Sequence, residues 1–267
     1  MDRLTPIMKK PLPQSTKLFL LLSLLIAMCD VAFVGIAYRQ SQNALVTALE
    51  QEAKNQHASF RNSFKETVNN MLQIATFVAN DQRIQQAFLK GKVAVESEGG
   101  GKGQKQAQIA RDDLLTIVAP SWAEMTKQFK ARQLHFHLGP GSTSFLRVHK
   151  LSKFGDNMDN VRYTIVDANN TLSATSGFET GRVYSGIRGV QPVFALSPDS
   201  NKKIHVGAVE SGISYHDLLQ NLSQTFDVNI AVLLTMEHIK ANVWPDFLNK
   251  RFKKSPPFGD LVVEETS

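Results

Sequence analysis

The sequence predicts an α+β protein: an N-terminal transmembrane helix continuing into a long stalk helix, then an antiparallel sheet with flanking helices. Three observations predict it. Residues 18–38 form an almost uninterrupted apolar run behind a basic N-terminus. Residues 39–89 contain no proline or glycine and repeat apolar residues in steps of three, four and seven. After Ala131 the period changes to two, in short runs separated by Gly, Pro, Asn and Asp.

At about 1.5 Å of rise per residue, the 18–38 run makes a helix of roughly 31 Å, the hydrocarbon thickness of a bilayer. Arg3, Lys9, Lys10 and Lys17 precede it and only Arg39 follows closely. The positive-inside rule therefore keeps the N-terminus cytoplasmic and exports the rest. A cleaved signal peptide fits less well, because the run is long and no A-x-A site precedes a polar region. Ile26-Ala27-Met28-Cys29 is a poor lipoprotein signal, since Met precedes the cysteine and the apolar run continues beyond it. A buried core helix would show a polar stripe, and none is visible. Asp30 lies inside the span, where a central acid costs about 2.5 to 3.5 kcal/mol. It reads equally well as a polar contact between spanning helices or as a single tolerated carboxyl.

The only cysteine, Cys29, is in the span, so the exported part has no thiol and no disulfide. Part of the net charge of +6 belongs to the N-terminal topology signal. The basic cluster 250–254 reads as a solvated linker rather than a phosphate site, and no nucleic acid partner is expected.

In the long helix the apolar positions are Leu45, Leu49, Ala53, Phe60, Phe64, Val68, Met71, Ala75 and Val78. Continuous over 39–89, it would extend roughly 75 Å, a stalk that pairs with a twin or packs under a sheet domain. The Gly-rich segment 91–106 reads as the loop of a helix hairpin and lacks the spacing of a phosphate-binding loop. Ile109, Leu114, Leu115, Ile117 and Val118 mark another helix, interrupted at Pro120. Ser121 and Glu124 form a capping box that starts a new one. Strands are expected at 133–138, 144–150, 189–196, 205–213 and 228–236. Helices are expected at 160–168 and at 215–226, the latter capped by Ser214. The segments are a cytoplasmic N-terminus (1–17), a transmembrane helix (18–38), a stalk and hairpin (39–132), a sheet domain (133–245) and a C-terminal linker or beginning of a second module (246–267).

On the strand 144–150, alternation places Phe145, Arg147 and His149 on one face and Leu146 and Val148 on the other. A guanidinium beside an aromatic ring suits a carboxylate. Arg188 offers a second donor and Tyr184 a hydroxyl. The bland alternative is that these side chains are exposed or tie down the Asp156 and Asp167 loops. Glu210 shares a strand face with Val206 and Ala208 and needs either an arginine partner or a ligand amine. His135 and His137 have the H-x-H spacing of metal ligands, with His149 nearby, but no carboxylate or cysteine lies at close spacing. Paired histidines on a strand read first as structural or solvent-facing, a metal site at His135 and His137 is the weaker alternative, and no cofactor is expected. No catalytic motif is present, and the chain is not expected to be an enzyme.

The runs Leu134-His135-Phe136-His137, Ser144-Phe145-Leu146-Arg147, His149-Lys150, Lys153-Phe154-Gly155-Asp156, Ser176-Gly177-Phe178-Glu179, Gly181-Arg182, Arg188-Gly189-Val190 and Pro192-Val193-Phe194 occur in order. Together they resemble the double-Cache extracytoplasmic sensory domain of bacterial chemoreceptors, sensor kinases and cyclic-di-GMP enzymes, over roughly residues 40 to 245. The resemblance implies a PAS-like sheet docked on the long N-terminal helix. Such a domain binds a small molecule, here expected to be an organic acid or amino acid, and passes a displacement through the bacterial inner membrane. It also implies a homodimer through the stalk. Phe145, Arg147, His149, Tyr184, Arg188 and Glu210 are the expected ligand-binding residues. Such receptors have a second spanning helix and an output module; with neither here, the expectation is a fragment or a short protein acting through a partner. The alternative is a single-pass adaptor whose exported domain binds another protein.

Overall fold

The computed structural model describes residues 13–183, 185–198, 200–252 and 259–267, in two compact units that divide between Ser59 and Phe60. Helix α1 (Gln14–Ala79) begins in the first. Among the described residues it is the one helix long and apolar enough to cross a membrane, and none of its most apolar stretch is buried. The apolar side chains Leu45 and Leu49 are also exposed.

The second unit opens with the C-terminal part of α1, which buries Met71, Ala75 and Ala79. The single helix expected over 39–89 is in fact two, broken at Asn80 and Asp81. Asp81 caps α2 (Gln82–Ser97): its carboxylate accepts the Arg83 backbone N–H at 2.8 Å and an ion pair from the Arg83 guanidinium at 2.7 Å. The helical period survives the break because Ala75, Ala79, Ile84 and Phe88 all enter one core. Asp81→Ala is expected to cost about 1 kcal/mol, the usual value of a lost N-cap, read as a lower urea midpoint with unchanged slope.

Helix α3 (Lys105–Phe129) starts where the Glu98 carboxylate accepts the backbone N–H groups of Gln106 and Ala107 at 2.6 and 3.0 Å. It runs unbroken through Pro120, so the new helix expected at Ser121 does not occur. A proline removes one helical hydrogen bond, and here Val118 and Trp122 bury in the core on either side of it.

The main sheet is antiparallel, with strands β1 (Gln133–Leu138), β2 (Thr143–Arg147), β3 (Thr175–Thr180), β4 (Ser185–Leu196) and β5 (Lys203–Ser214) in the order β2-β1-β5-β4-β3. One face packs Leu134, Phe136, Val193 and Val209 against Phe88, Leu114 and Val118. On the other, Val190 and Ala208 meet Ile165 and Ala168 of α4 (Tyr163–Thr171). Helix α5 (Tyr215–Phe226) has the predicted Ser214 cap and joins α1 through Met71, Leu218, Leu219 and Leu222. Strand β6 (Ala231–Thr235), helices α6 (Met236–Asn242) and α7 (Pro245–Phe252), and β7 (Leu261–Thr266) form a small second layer, with β6 paired to β7. Ile239, Val243 and Val262 are buried in it.

At Gly189, α1 and the sheet touch through backbone. A Cβ there would lie 2.2 Å from the Leu72 amide nitrogen and 2.4 Å from the Met71 carbonyl carbon. Ser211, opposite Gly189 on β5, donates its hydroxyl to the Met71 carbonyl at 2.5 Å.

Two bulges change which residues share a face. Between β1 and β2, Phe136 faces Leu146 while His137 faces Ser144, so Phe145 is the extra residue. It turns into the core beside Phe88, and the face shared by Phe145, Arg147 and His149 does not exist. Strand β2 also ends at Arg147, short of His149. Between β4 and β5, Val193 faces Gly207 while Phe194 faces His205, so Val206 is the extra residue. It joins the α2–α3 core rather than the face of Ala208 and Glu210.

Candidate functional site

The α4 face of the sheet carries, at its β1–β2 end, a cavity of about 320 Å³. Strand β1 supplies Gln133 and His135, and Arg147 projects from the end of β2. The loop after β2 adds His149, Lys150, Lys153, Asp156, Met158 and Arg162. Arg182 and Trp244 complete the wall. Lys153 Nζ sits 5.3 Å from the centroid of the Trp244 ring. Five lining side chains are cationic (Arg147, Lys150, Lys153, Arg162 and Arg182) against the single carboxylate of Asp156.

Arg147 holds the loop in place. It makes a forked pair with Asp156 at 2.7 and 2.8 Å and donates to the Lys153 carbonyl at 2.8 Å. Burial pushes the Asp156 carboxyl up, but the Arg147 hydrogen bond and charge outweigh it and keep the group below the usual range. Burial lowers His149 to about 4, against the opposing hydrogen bond of its Nδ1 to the Leu134 carbonyl at 3.2 Å; the ring is neutral at pH 7.

Behind His135 lies a buried polar cluster. Strand register sets Glu210 directly opposite His135, and His137 lies two residues further along the same strand. One Glu210 oxygen faces guanidinium groups, with Arg188 Nε at 3.4 Å and Arg162 Nε at 3.8 Å. The other faces imidazoles, His135 Nδ1 at 3.6 Å and His137 Nε2 at 3.5 Å, and accepts the Gln133 side-chain amide. Burial would raise Glu210, but the charges of Arg162 and Arg188 prevail and hold it well below the usual carboxylate range. Arg162 continues to Glu179 at 3.2 Å, a carboxyl that burial raises despite that pairing. Burial lowers both histidines, against the pull of Glu210.

Of the expected ligand-binding residues, Arg147 and His149 border the cavity. Phe145 does not, because the bulge sends it into the core. Arg188 and Glu210 are fully buried against one another behind the cavity wall, as the arginine pairing considered for Glu210 requires. Tyr184 lies outside the described residues. Gln133, Arg162 and Trp244 carry no signal of a site in the sequence, and Arg182 stands there only in the Gly181-Arg182 run of the resemblance. Arg162 and Trp244 come from a loop and a helix-linking turn, with no periodicity to mark them.

A five-stranded antiparallel sheet with helices on both faces and a cavity at one end is an architecture of the PAS-like type. Residues 46–251 match the family described as the double sensory domain of two-component sensor kinases, and the chain belongs to this double-Cache family. No curated protein sequence matches it. Similar solved structures include the sensor domain of the V. cholerae histidine kinase DctB, 13% identical with a TM-score of 0.49, covering 71% of this chain and 64% of that one. The E. coli DcuS sensor domain is 15% identical, with a TM-score of 0.41 and coverage of 62% and 98%. The ligand-binding domain of the Campylobacter jejuni chemoreceptor Tlp3, solved with 4-methylisoleucine, is 16% identical, with a TM-score of 0.31 and coverage of 67% and 68%. The chain thus spans just under two thirds of the DctB domain.

Proposed function

We propose that this chain is the membrane-anchored sensory part of a bacterial receptor, and that its cavity binds a small carboxylate-bearing ligand such as an organic acid or amino acid. The observation that carries this reading is the charge of the wall: Arg147 engages Asp156 and Arg162 engages Glu179, which leaves Lys150, Lys153 and Arg182 without a carboxylate partner among the described residues. Arg147 and His149 would contact the ligand together with Lys153 and Arg182. The apolar helix from residue 18 to 38 would span the membrane, with the preceding lysines and arginines inside and the sheet domain outside. Exposed Leu45 and Leu49 would pair with a second copy. A ligand would act by binding more tightly to one of two arrangements of the domain.

Binding is testable by thermal unfolding of the full-length chain in detergent against panels of carboxylates, amino acids and amines. A carboxylate ligand at about 100 times its Kd adds about 2.7 kcal/mol, a rise of roughly 5 to 10 °C. Lys153→Ala combined with Arg182→Ala should remove the rise while leaving the unliganded midpoint within about 2 °C. A response to amines alone, or to no compound, would refute the assignment.

A further inference from the structure

The pair of histidines lacked a third ligand in the sequence, and the sheet supplies one. We propose that His135, His137 and Glu210 form a binding site for a divalent transition-metal ion of the zinc class, behind the ligand cavity and distinct from it. One nitrogen of each imidazole and one Glu210 oxygen all lie within 4.8 Å of one another. The two nitrogen–oxygen separations, 3.6 and 3.5 Å, are close to the edge of about 3.3 Å expected for ligands 2.0 to 2.1 Å from a tetrahedral ion.

Hydrogen bonding on the far side of each ring selects the same chemistry. His137 Nδ1 lies 3.2 Å from the Ser142 carbonyl, which can only accept, so this nitrogen carries the proton. The other ring nitrogen, Nε2, is aimed at a Glu210 oxygen 3.5 Å away. That Nε2 is fully buried and has no hydrogen-bond partner among the described residues. A proton on Nε2 or a metal ion between ring and carboxylate would satisfy the pair, and the convergence of three ligand atoms fits the metal ion. His135 is held through Nε2 by the Ser144 hydroxyl at 2.8 Å, a group that can donate or accept, and turns Nδ1 toward Glu210. Outer hydrogen bonds that fix the tautomer and aim the inner nitrogen are the usual support of histidine ligands. Imidazole and carboxylate together suit zinc, cobalt or nickel rather than calcium or magnesium.

The charge balance shapes the site. Arg162 and Arg188 already face the other Glu210 oxygen, so Glu210 alone does not balance a dication and an anion is needed in the fourth position. His135 is the ligand that also borders the cavity, and exchange of the ion and its fourth ligand would occur from that side.

The test is a cobalt(II) titration of untagged, chelator-treated full-length chain in detergent, followed by visible absorption. One equivalent should produce the intense bands of four-coordinate cobalt, and zinc should abolish them. His137→Gln should weaken cobalt binding by at least about 100-fold, while a variant with His57, His216 and His238 all changed to alanine should bind as the parent does. Wild-type protein without bands, or bands that persist in His137→Gln, would overturn the assignment. The wild-type spectrum decides even where a buried variant fails to fold. It is independent of any carboxylate response, so the metal site and the proposed ligand site can fail separately.

Discussion

Replacing Gly189 with valine is expected to detach α1 from the sheet and lower stability by at least about 3 kcal/mol. The new Cβ would fall 2.2 Å from the Leu72 nitrogen, 2.4 Å from the Met71 carbonyl carbon and 2.5 Å from the Leu72 Cα. All three atoms are backbone, so no rotamer change relieves the clash. Overpacking against side chains costs 1 to about 3 kcal/mol because neighbours can turn away; here the helix itself has to move. That movement would also break the Ser211 hydroxyl bond to the Met71 carbonyl and open the cluster of Met71, Ile187 and Leu219. Gly189 lies within regular β4 pairing, where valine is otherwise favoured, so the loss is steric rather than conformational. Urea unfolding should show the drop, and limited proteolysis should cut within residues 60–79. An unchanged midpoint would mean that the helix is not seated on Gly189.

The second large effect is expected at Glu210. In Glu210→Ala the buried Arg188 and Arg162 guanidinium groups lose the carboxylate between them, and Gln133 loses the acceptor of its amide. Removing one partner of a buried ionic cluster costs about 3 to 5 kcal/mol, chiefly through the charge left behind. Arg162 keeps Glu179, so Arg188 bears most of the loss. The check is chemical denaturation of Glu210→Ala beside Glu179→Ala. Glu179 also accepts the Thr164 hydroxyl and amide, and its removal leaves Glu210 to both arginines. The Glu210 variant should therefore be the less stable of the two.

Much of the fold was legible because it is written in local patterns. Strand β1 and helix α5 have the predicted limits, and the Ser214 cap makes its hydrogen bond. Strand β3 is not among the expected strands because Thr175-Ser176-Gly177 carries no apolar alternation, and it becomes a strand through its pairing with β4. The site was less legible, for a physical reason. Alternation assumes an uninterrupted ladder, and a single extra residue at Phe145 reverses the inside and outside of a strand. Arg147 and His149 still reach the cavity, Arg147 because it lies beyond the bulge and His149 because the chain turns there. Glu210 stands out in the sequence as an acid inside an apolar strand. Its neighbours His135 and His137 lie more than seventy residues away in sequence, and only sheet register brings them together.

The seam at Gly189 also sets the mechanical character of the domain. Ordinary helix–sheet contacts are cushioned by side chains that can absorb a small shift by changing rotamer. Here main chain bears on main chain, with a hydroxyl fastening the two. Such a joint has little compliance, so a fractional-ångström slide of β4 and β5 would be handed to the Met71 turn of α1 undiminished.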